Sequence, residues 1–194
     1  TIPKVSKIFG PGNQYVTTAK MMVYGIADID MPAGPSEVAV LADRDANPAW
    51  VAADLLSQLE HGEDSQAVLV VFDGGFAKRV IAEMQQQMLR LPRRDIIQKS
   101  FEKSFAVIAS SSKEACEILN GYAPEHLELV VKNPLRILKK IMNVGSVFLG
   151  KYSSEPLGDY ATGANQTLPT SEFAKMFSPL STDSFGKMIQ VQMV

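Results

Sequence analysis

Ala67-Val68-Leu69-Val70-Val71-Phe72 decides the fold. An unbroken apolar run rich in β-branched valine is what a strand covered on both faces requires, because neither side of its pleat meets water. The same logic recurs to either side. Upstream, residues 38–42 are a shorter apolar run. Asn47-Pro48 then supplies an N-cap and a proline at the first helical position, where its missing N–H is no loss. The helix that follows carries Val51, Leu55 and Leu59 on one face, flanked by Ala52 and Leu56, and Gly62 can end it. Downstream, Asp73-Gly74-Gly75 turns the chain into a long helix near residues 76–91. Residues 105–109 read as a strand, and Ser111 with Glu114 makes a capping box for a helix containing Cys116. Residues 127–131 form a further strand. Asn133-Pro134 opens a helix with Leu135, Leu138 and Ile141, Gly145 ends it, and residues 146–149 are the last strand. Such alternation predicts an α/β fold, a mostly parallel sheet flanked by helices in an incomplete Rossmann-like arrangement. Residues 151–184 are rich in Ser, Thr, Gly and Pro and form a long C-terminal loop region, which is uncommon unless functional.

The chain has 194 residues, of which 46% are hydrophobic, enough for a sizeable core. Its formal net charge of -2, with no basic stripe interleaved with aromatics, argues against a nucleic-acid partner. The densest basic cluster, Arg90, Arg93 and Arg94 around Pro92, reads as a solvated helix end. Cys116 is the only cysteine, so no internal disulfide forms and a reducing compartment suits the chain. No apolar run approaches the length of a membrane-spanning helix, and no secretory signal is present. Thr1 is not a start methionine, and residues 188–194 are apolar enough to want a partner surface. Both ends read as cut. The expected organisation is a remnant of a preceding α/β domain at 1–35, a main α/β domain at 36–184, and the start of a truncated C-terminal segment at 185–194.

Only two histidines occur, each directly after a glutamate: Glu60-His61 and Glu125-His126. Histidine is the commonest metal ligand and the side chain best suited to proton transfer near neutral pH, and a neighbouring carboxylate can orient it. Asp54, Gln58 and His61 fall at i, i+4 and i+7, one stripe of a helix. A solvated polar face is the default reading of such a stripe, but Gln58 and His61 could also present an oxygen and a nitrogen to a cation. The loop region adds Asp159, isolated in Gly158-Asp159-Tyr160-Ala161-Thr162-Gly163. The second pair is held differently, since Pro124 bars helix before it and a strand follows at once. That suits a general base. Both histidines precede strands, whereas ligands of open parallel sheets usually bind beyond the carboxyl ends. Near the start, Phe9-Gly10-Pro11-Gly12-Asn13 opens a helix, either as an anion cradle or as a plain turn. Tyr15 stands where a third glycine of the dinucleotide fingerprint would be. The stiff turn of residues 30–37 delivers Ser36 to a strand, and no Ser-His-Asp order suggests a nucleophilic serine. With no HExxH helix, a zinc hydrolase using Glu125 or Glu60 ranks last.

These segments together resemble histidinol dehydrogenase. The matching stretches are IFGPGNQYVTTAK (residues 8–20), DMPAGPSEV (30–38), DLLSQLEHG (54–62), YAPEHLEL (122–129), GSVFLG (145–150) and GDYATGANQTLPT (158–170), in order through nearly the whole chain. The resemblance implies zinc- and NAD-dependent oxidation of L-histidinol to L-histidine, the end of histidine biosynthesis, by a cytoplasmic homodimer with shared sites. It implies Gln58, His61 and Asp159 as zinc ligands that also bind substrate, together with Ser36 and His126. It places Asn13 at the nicotinamide cofactor, makes His126 the general base and gives Glu125 the activation of water. Gln166 stands where the family's loop usually has histidine. The family enzyme is about twice as long, so an N-terminal half, and a C-terminal tail with a further zinc-ligating histidine, are expected outside these residues. The isolated stretch is expected to fold but to be inactive. The alternative is a non-catalytic metal-binding or structural α/β domain derived from that enzyme.

Overall fold

The computed structural model describes residues 3–194, so Thr1 lies outside the described residues. The chain opens with a small parallel β–α–β unit: β1 (Lys7–Ile8), α1 (Gln14–Val23) and β2 (Asp28–Ile29). Asn13 caps α1, its Oδ1 accepting from Tyr15 N at 3.1 Å and Val16 N at 3.2 Å. Those N–H groups are therefore engaged within the turn, which favours the plain-turn reading over the anion cradle.

The main body follows as β3 (Glu37–Ala42), α2 (Pro48–Leu59), β4 (Gln66–Val71), α3 (Gly74–Met88), α4 (Arg94–Phe101) and β5 (Phe105–Ile108). It continues through α5 (Ser112–Tyr122), β6 (His126–Val130), α6 (Pro134–Leu138) and β7 (Ser146–Leu149). The sheet is parallel throughout, in the order β5-β4-β3-β6-β7. The chain starts at the centre with β3, builds outward through β4 and β5, then crosses to the other side for β6 and β7. This is the doubly wound order without its last strand, an incomplete Rossmann-like sheet.

Strand periodicity explains the unbroken apolar runs. Val38, Val40 and Ala42 of β3 join Ala67, Leu69 and Val71 of β4 in one core, against α2, α3 and α4. Ala39, Leu41, Val68 and Val70 point the other way, into a second core closed by α5 and α6. After their polar first residues, Glu37 and Gln66, the residues of β3 and β4 thus meet a hydrophobic layer on each side.

The local readings largely hold, with instructive departures. Asn47 caps α2 by accepting from Ala49 N at 2.9 Å, and Pro48 stands at its first position. Asp73 caps α3, so the two glycines lie inside the helix rather than in a turn before it. The capping box of α5 is only half formed: Ser111 accepts from Glu114 N, but the Glu114 carboxylate takes Ser110 N at 2.7 Å. Beyond the basic cluster a further helix, α4, starts at Arg94; its anchor is the fully buried Ile97. α6 is short, and its buried residue is Ile137, while Leu135 is 63% exposed.

The loop region is short turns tied to the body: α7 (Glu155–Leu157), a π-helical turn (Gly158–Thr162) and two 3-10 turns (Phe173–Lys175, Thr182–Phe185). Gly34 N donates to Thr170 Oγ1, Ser171 N to Glu37 Oε1 at 3.2 Å, and Lys7 Nζ to Ser184 O at 2.6 Å. Met188, Ile189, Val191, Met193 and Val194 are exposed. Among the described residues no helix is long and apolar enough to cross a membrane.

α2 bears on everything that follows, and its hold is Leu55, 1% exposed beside an apolar cavity of about 260 Å³ shared with Leu69, Met84 and Phe101. Leu55→Ala enlarges that void and should lower unfolding free energy by about 2–5 kcal/mol in urea titration. A loss below about 1 kcal/mol would mean that α2 is not anchored there.

Candidate active site

Glu125 and His126 sit where α5 hands over to β6. Ala123 ends α5 in the left-handed region (φ 52), its N–H reaching back to Leu119 O at 2.8 Å, and Pro124 prevents the helix from resuming. The backbone of Glu125 is clasped from the β7 side by Ser146 N at 2.8 Å. Gly145 permits this approach, since a Cβ there would lie 2.5 Å from Glu125 O.

Both side chains are buried, and both lean on a single residue of β3. Glu125 Oε2 accepts from Glu37 N at 3.1 Å, and His126 Nδ1 lies 3.3 Å from Glu37 O. With Nδ1–H donating to that carbonyl, Nε2 keeps its lone pair for a proton. Burial lowers His126 to about 4, so the imidazole is neutral at physiological pH. Burial raises Glu125 to about 8, opposed chiefly by the hydrogen bond from Glu37 N and less by the neighbouring Ser36 hydroxyl. Glu37 itself rises to about 7, again by burial.

The second cluster comes from the end of α2 and from the loop region. His61 Nδ1 faces Ser57 O at 3.0 Å, which fixes the ring and turns Nε2 outward. One ligand atom each of His61, Asp159 and Glu155 lie within 4.8 Å of one another. One turn before His61, Gln58 is 1% exposed, and its Oε1 has no hydrogen-bond partner. A buried amide oxygen left unpaired is costly, and a cation would satisfy it. Glu155 hydrogen-bonds to Asp159, with Ser57 Oγ at 3.3 Å from its Oε2; burial first, then Asp159, raise it to about 8. Behind it lies a buried acid pair. Glu128 Oε1 accepts from Glu155 N at 2.8 Å, and burial, then the Asp54 carboxylate, lift Glu128 to about 9. Asp54 rises to about 6 by burial, with a hydrogen bond to Glu128 opposing.

The two clusters adjoin: Asp159 and His61 both lie close enough to His126 to influence it electrostatically. A cleft of about 150 Å³ continues from Glu125 and Ser36 past Gln166 to Gly10, Gly12, Lys20 and Asp30. Asn13 stands next to Gly12 at that rim. Of the residues singled out from sequence, the structure brings Ser36, His61, Glu125, His126 and Asp159 together, with Gln58 one helical turn from His61. Glu37, Glu128 and Glu155 escaped the sequence reading. The signal for Glu128 was there: a carboxylate between Leu127 and Leu129 in a strand of the sheet interior has to be buried.

The Glu125–His126 pair and Glu37 lie at the amino ends of β3 and β6. The crevice beyond the carboxyl ends, where doubly wound sheets usually bind ligands, is lined instead by Asp43, Val130, Lys132 and Lys151. Cys116 is buried in α5, outside the site, and burial raises its thiol pKa.

The family model described as histidinol dehydrogenase matches residues 1–194. The chain belongs to the histidinol dehydrogenase family. It is 53% identical to the histidinol dehydrogenase of Bacteroides thetaiotaomicron over 194 residues, covering 99% of this chain and 45% of that one. It is 53% identical to that of Listeria monocytogenes over 188 residues, 96% of this chain and 44% of the relative. The crystal structure of histidinol dehydrogenase from Elizabethkingia anophelis superposes with a TM-score of 0.91 at 48% identity, covering 95% of this chain and 43% of that one. This histidinol dehydrogenase-family chain therefore spans less than half the length of the relatives it matches.

The acid pair makes stability depend on pH. Folded Glu128 keeps a proton up to about 9 that the unfolded chain releases near 4.5, so its contribution is complete below 4.5 and disappears as pH rises toward 9. His126 acts in the opposite sense, but only below its ordinary 6.5. With a chelator present, Tm should fall between pH 6.5 and 9, and Glu128→Gln, isosteric with the protonated acid, should flatten that fall. Identical pH slopes for the two proteins would refute the protonated pair.

Proposed function

We propose that this chain carries the metal and acid–base portion of a zinc- and NAD-dependent enzyme, of the relatives' length, that oxidises L-histidinol to L-histidine through the aldehyde. The observation that carries the reading is the meeting of two chemistries in one place. Donors suited to a borderline metal (His61, Asp159 and the unpaired Gln58 Oε1) adjoin a buried neutral imidazole and a buried carboxyl.

Gln58, His61 and Asp159 would hold the zinc, and Glu155 would orient Asp159 by hydrogen bond. Zinc there supplies a Lewis-acid anchor for the substrate's imidazole and amine nitrogens. NAD⁺, one for each oxidation, supplies the hydride acceptor. Ser36 would line the substrate pocket at the Glu125 end. Asn13 spends its amide oxygen on capping α1, which leaves its NH₂ to face the cofactor.

His126 takes the hydroxyl proton on Nε2 as the carbon gives up hydride. Its depressed pKa ensures that the lone pair is free at pH 7. In the second oxidation Glu125 removes a proton from the water that adds to the aldehyde carbon, and hydride then leaves that carbon. Because burial holds Glu125 near 8, this step gains from deprotonation as pH rises toward that value. The same reading makes the complete enzyme a cytoplasmic homodimer with shared sites.

In the full-length enzyme, His126→Asn should slow both oxidations by about 10²–10⁴-fold, the range of general-base catalysis. Glu125→Gln should mainly slow aldehyde oxidation and abolish its rise with pH. Stopped-flow NADH formation from histidinol and from histidinal separates the steps. Wild-type aldehyde oxidation in Glu125→Gln would sink the assignment. Bound zinc without any NADH from histidinol would favour a non-catalytic metal-binding domain instead.

A further inference from the structure

One buried charged pair near the cleft has no part in the chemistry above. Lys20, on the last turn of α1, pairs with Asp30, at the head of the turn that leads to Ser36. Their side chains are 8% and 0% exposed. A buried ion pair is weak evidence for stability, since well-packed apolar residues often serve as well. What apolar residues cannot do is hydrogen-bond a backbone, and this pair takes both polar groups of one residue. Gly10 N donates to Asp30 Oδ2 at 2.8 Å, and Lys20 Nζ donates to Gly10 O at 3.0 Å. Asp30 Oδ1 also accepts from Met31 N at 2.8 Å, which fixes the carboxylate itself.

Gly10 needs such a grip. Its φ of +132 is a conformation closed to other residues, yet a Cβ would meet nothing within 4 Å. The glycine is there for its backbone angle, and the angle is imposed from both sides by the pair. Pro11 and Gly12 follow at once on the wall of the cleft that Ser36 and Glu125 also line, and Asn13 comes next.

We propose that the Lys20–Asp30 pair is a positioning device for the cofactor: by clamping both backbone groups of Gly10 it presents residues 10–13 to NAD⁺ in one preformed shape. The proposal rests on reading that loop as the one that contacts NAD⁺. Preorganisation of this kind strengthens binding by removing the ordering cost from the binding step, and it leaves the chemistry at His126 and Glu125 untouched.

The test uses the full-length enzyme carrying Lys20→Met together with Asp30→Asn, which removes both charges and so strands neither in the interior. Three quantities are measured: kcat and KM for NAD⁺, bound zinc, and amide hydrogen exchange across residues 10–13 without NAD⁺. The expected result is a KM for NAD⁺ raised about tenfold or more with kcat within about threefold, unchanged zinc, and faster exchange at Gly10. Lys20→Arg keeps charge and donor and should restore most of the wild-type KM. Should the double variant fail to fold, Pro11→Gly loosens the same loop with the pair intact, and a raised KM for NAD⁺ is again expected. A KM within about twofold of wild type, or unchanged exchange at Gly10, overturns the proposal. Faster exchange in a protein whose wild type binds no NAD⁺ also overturns it, and in addition locates the failure in the reading of the loop, not in the clamp.

Discussion

One residue's backbone sets the geometry of the site. The N–H of Glu37 binds the carboxyl of Glu125, and its carbonyl faces the imidazole of His126. Glu37 is the first residue of the central strand, and the ladder that pairs Val38 with His126 places the second pair member beside it without further adjustment. The position of the acid–base pair is thus inherited from the register of β3 and β6, a buried pairing at the centre of the sheet. The Glu37 side chain extends the arrangement by accepting from Ser171 N, which ties the loop region to the same point. A shift of β3 by one residue would turn its core set to the opposite face and lose both contacts at once.

Burial does the rest of the electrostatic work. Glu125, Glu128 and Glu155 are all raised first by desolvation, and His126 is lowered by it, so the groups around the site rest in their uncharged forms. A divalent cation would supply the charge that this environment lacks. His61 is exposed while Glu155 is buried, so a cation among these donors would stand at the boundary between core and solvent. The sheet has the strand order of dinucleotide-binding folds, yet the candidate acid–base pair stands at the opposite end from the usual crevice. Fold analogy alone points to the other end.

Much of this was legible in the sequence because burial leaves a period. The valine-rich run of β4 and the Asn47-Pro48 start are each fixed by local chemistry that nothing distant overrides, whereas Gly145, read as a helix end, instead permits the close approach to Glu125 O. The site residues were legible through motifs quoted stretch by stretch, and the two histidines stood out by their rarity. Glu155 was not legible, because only the return of the chain after β7 sets it against Glu128 and Ser57. The basic stretch before α4 misled, because arginines on the exposed side masked a short helix anchored by Ile97. The spacing of Leu135, Leu138 and Ile141 suggested one helical face, but the chain leaves the helix at Leu138 and turns Ile137 inward.

Where a metal binds decides whether α2 and the Gly158–Thr162 turn form a metal site. Crystals of the full-length enzyme grown with zinc, with anomalous scattering recorded across the zinc edge, answer this directly. A single strong peak about 2.0–2.2 Å from His61 Nε2 and an Asp159 carboxylate oxygen, with Gln58 Oε1 turned toward it, is the result this structure predicts. A peak at other donors, or none between α2 and the Gly158–Thr162 turn in zinc-replete protein, would contradict it.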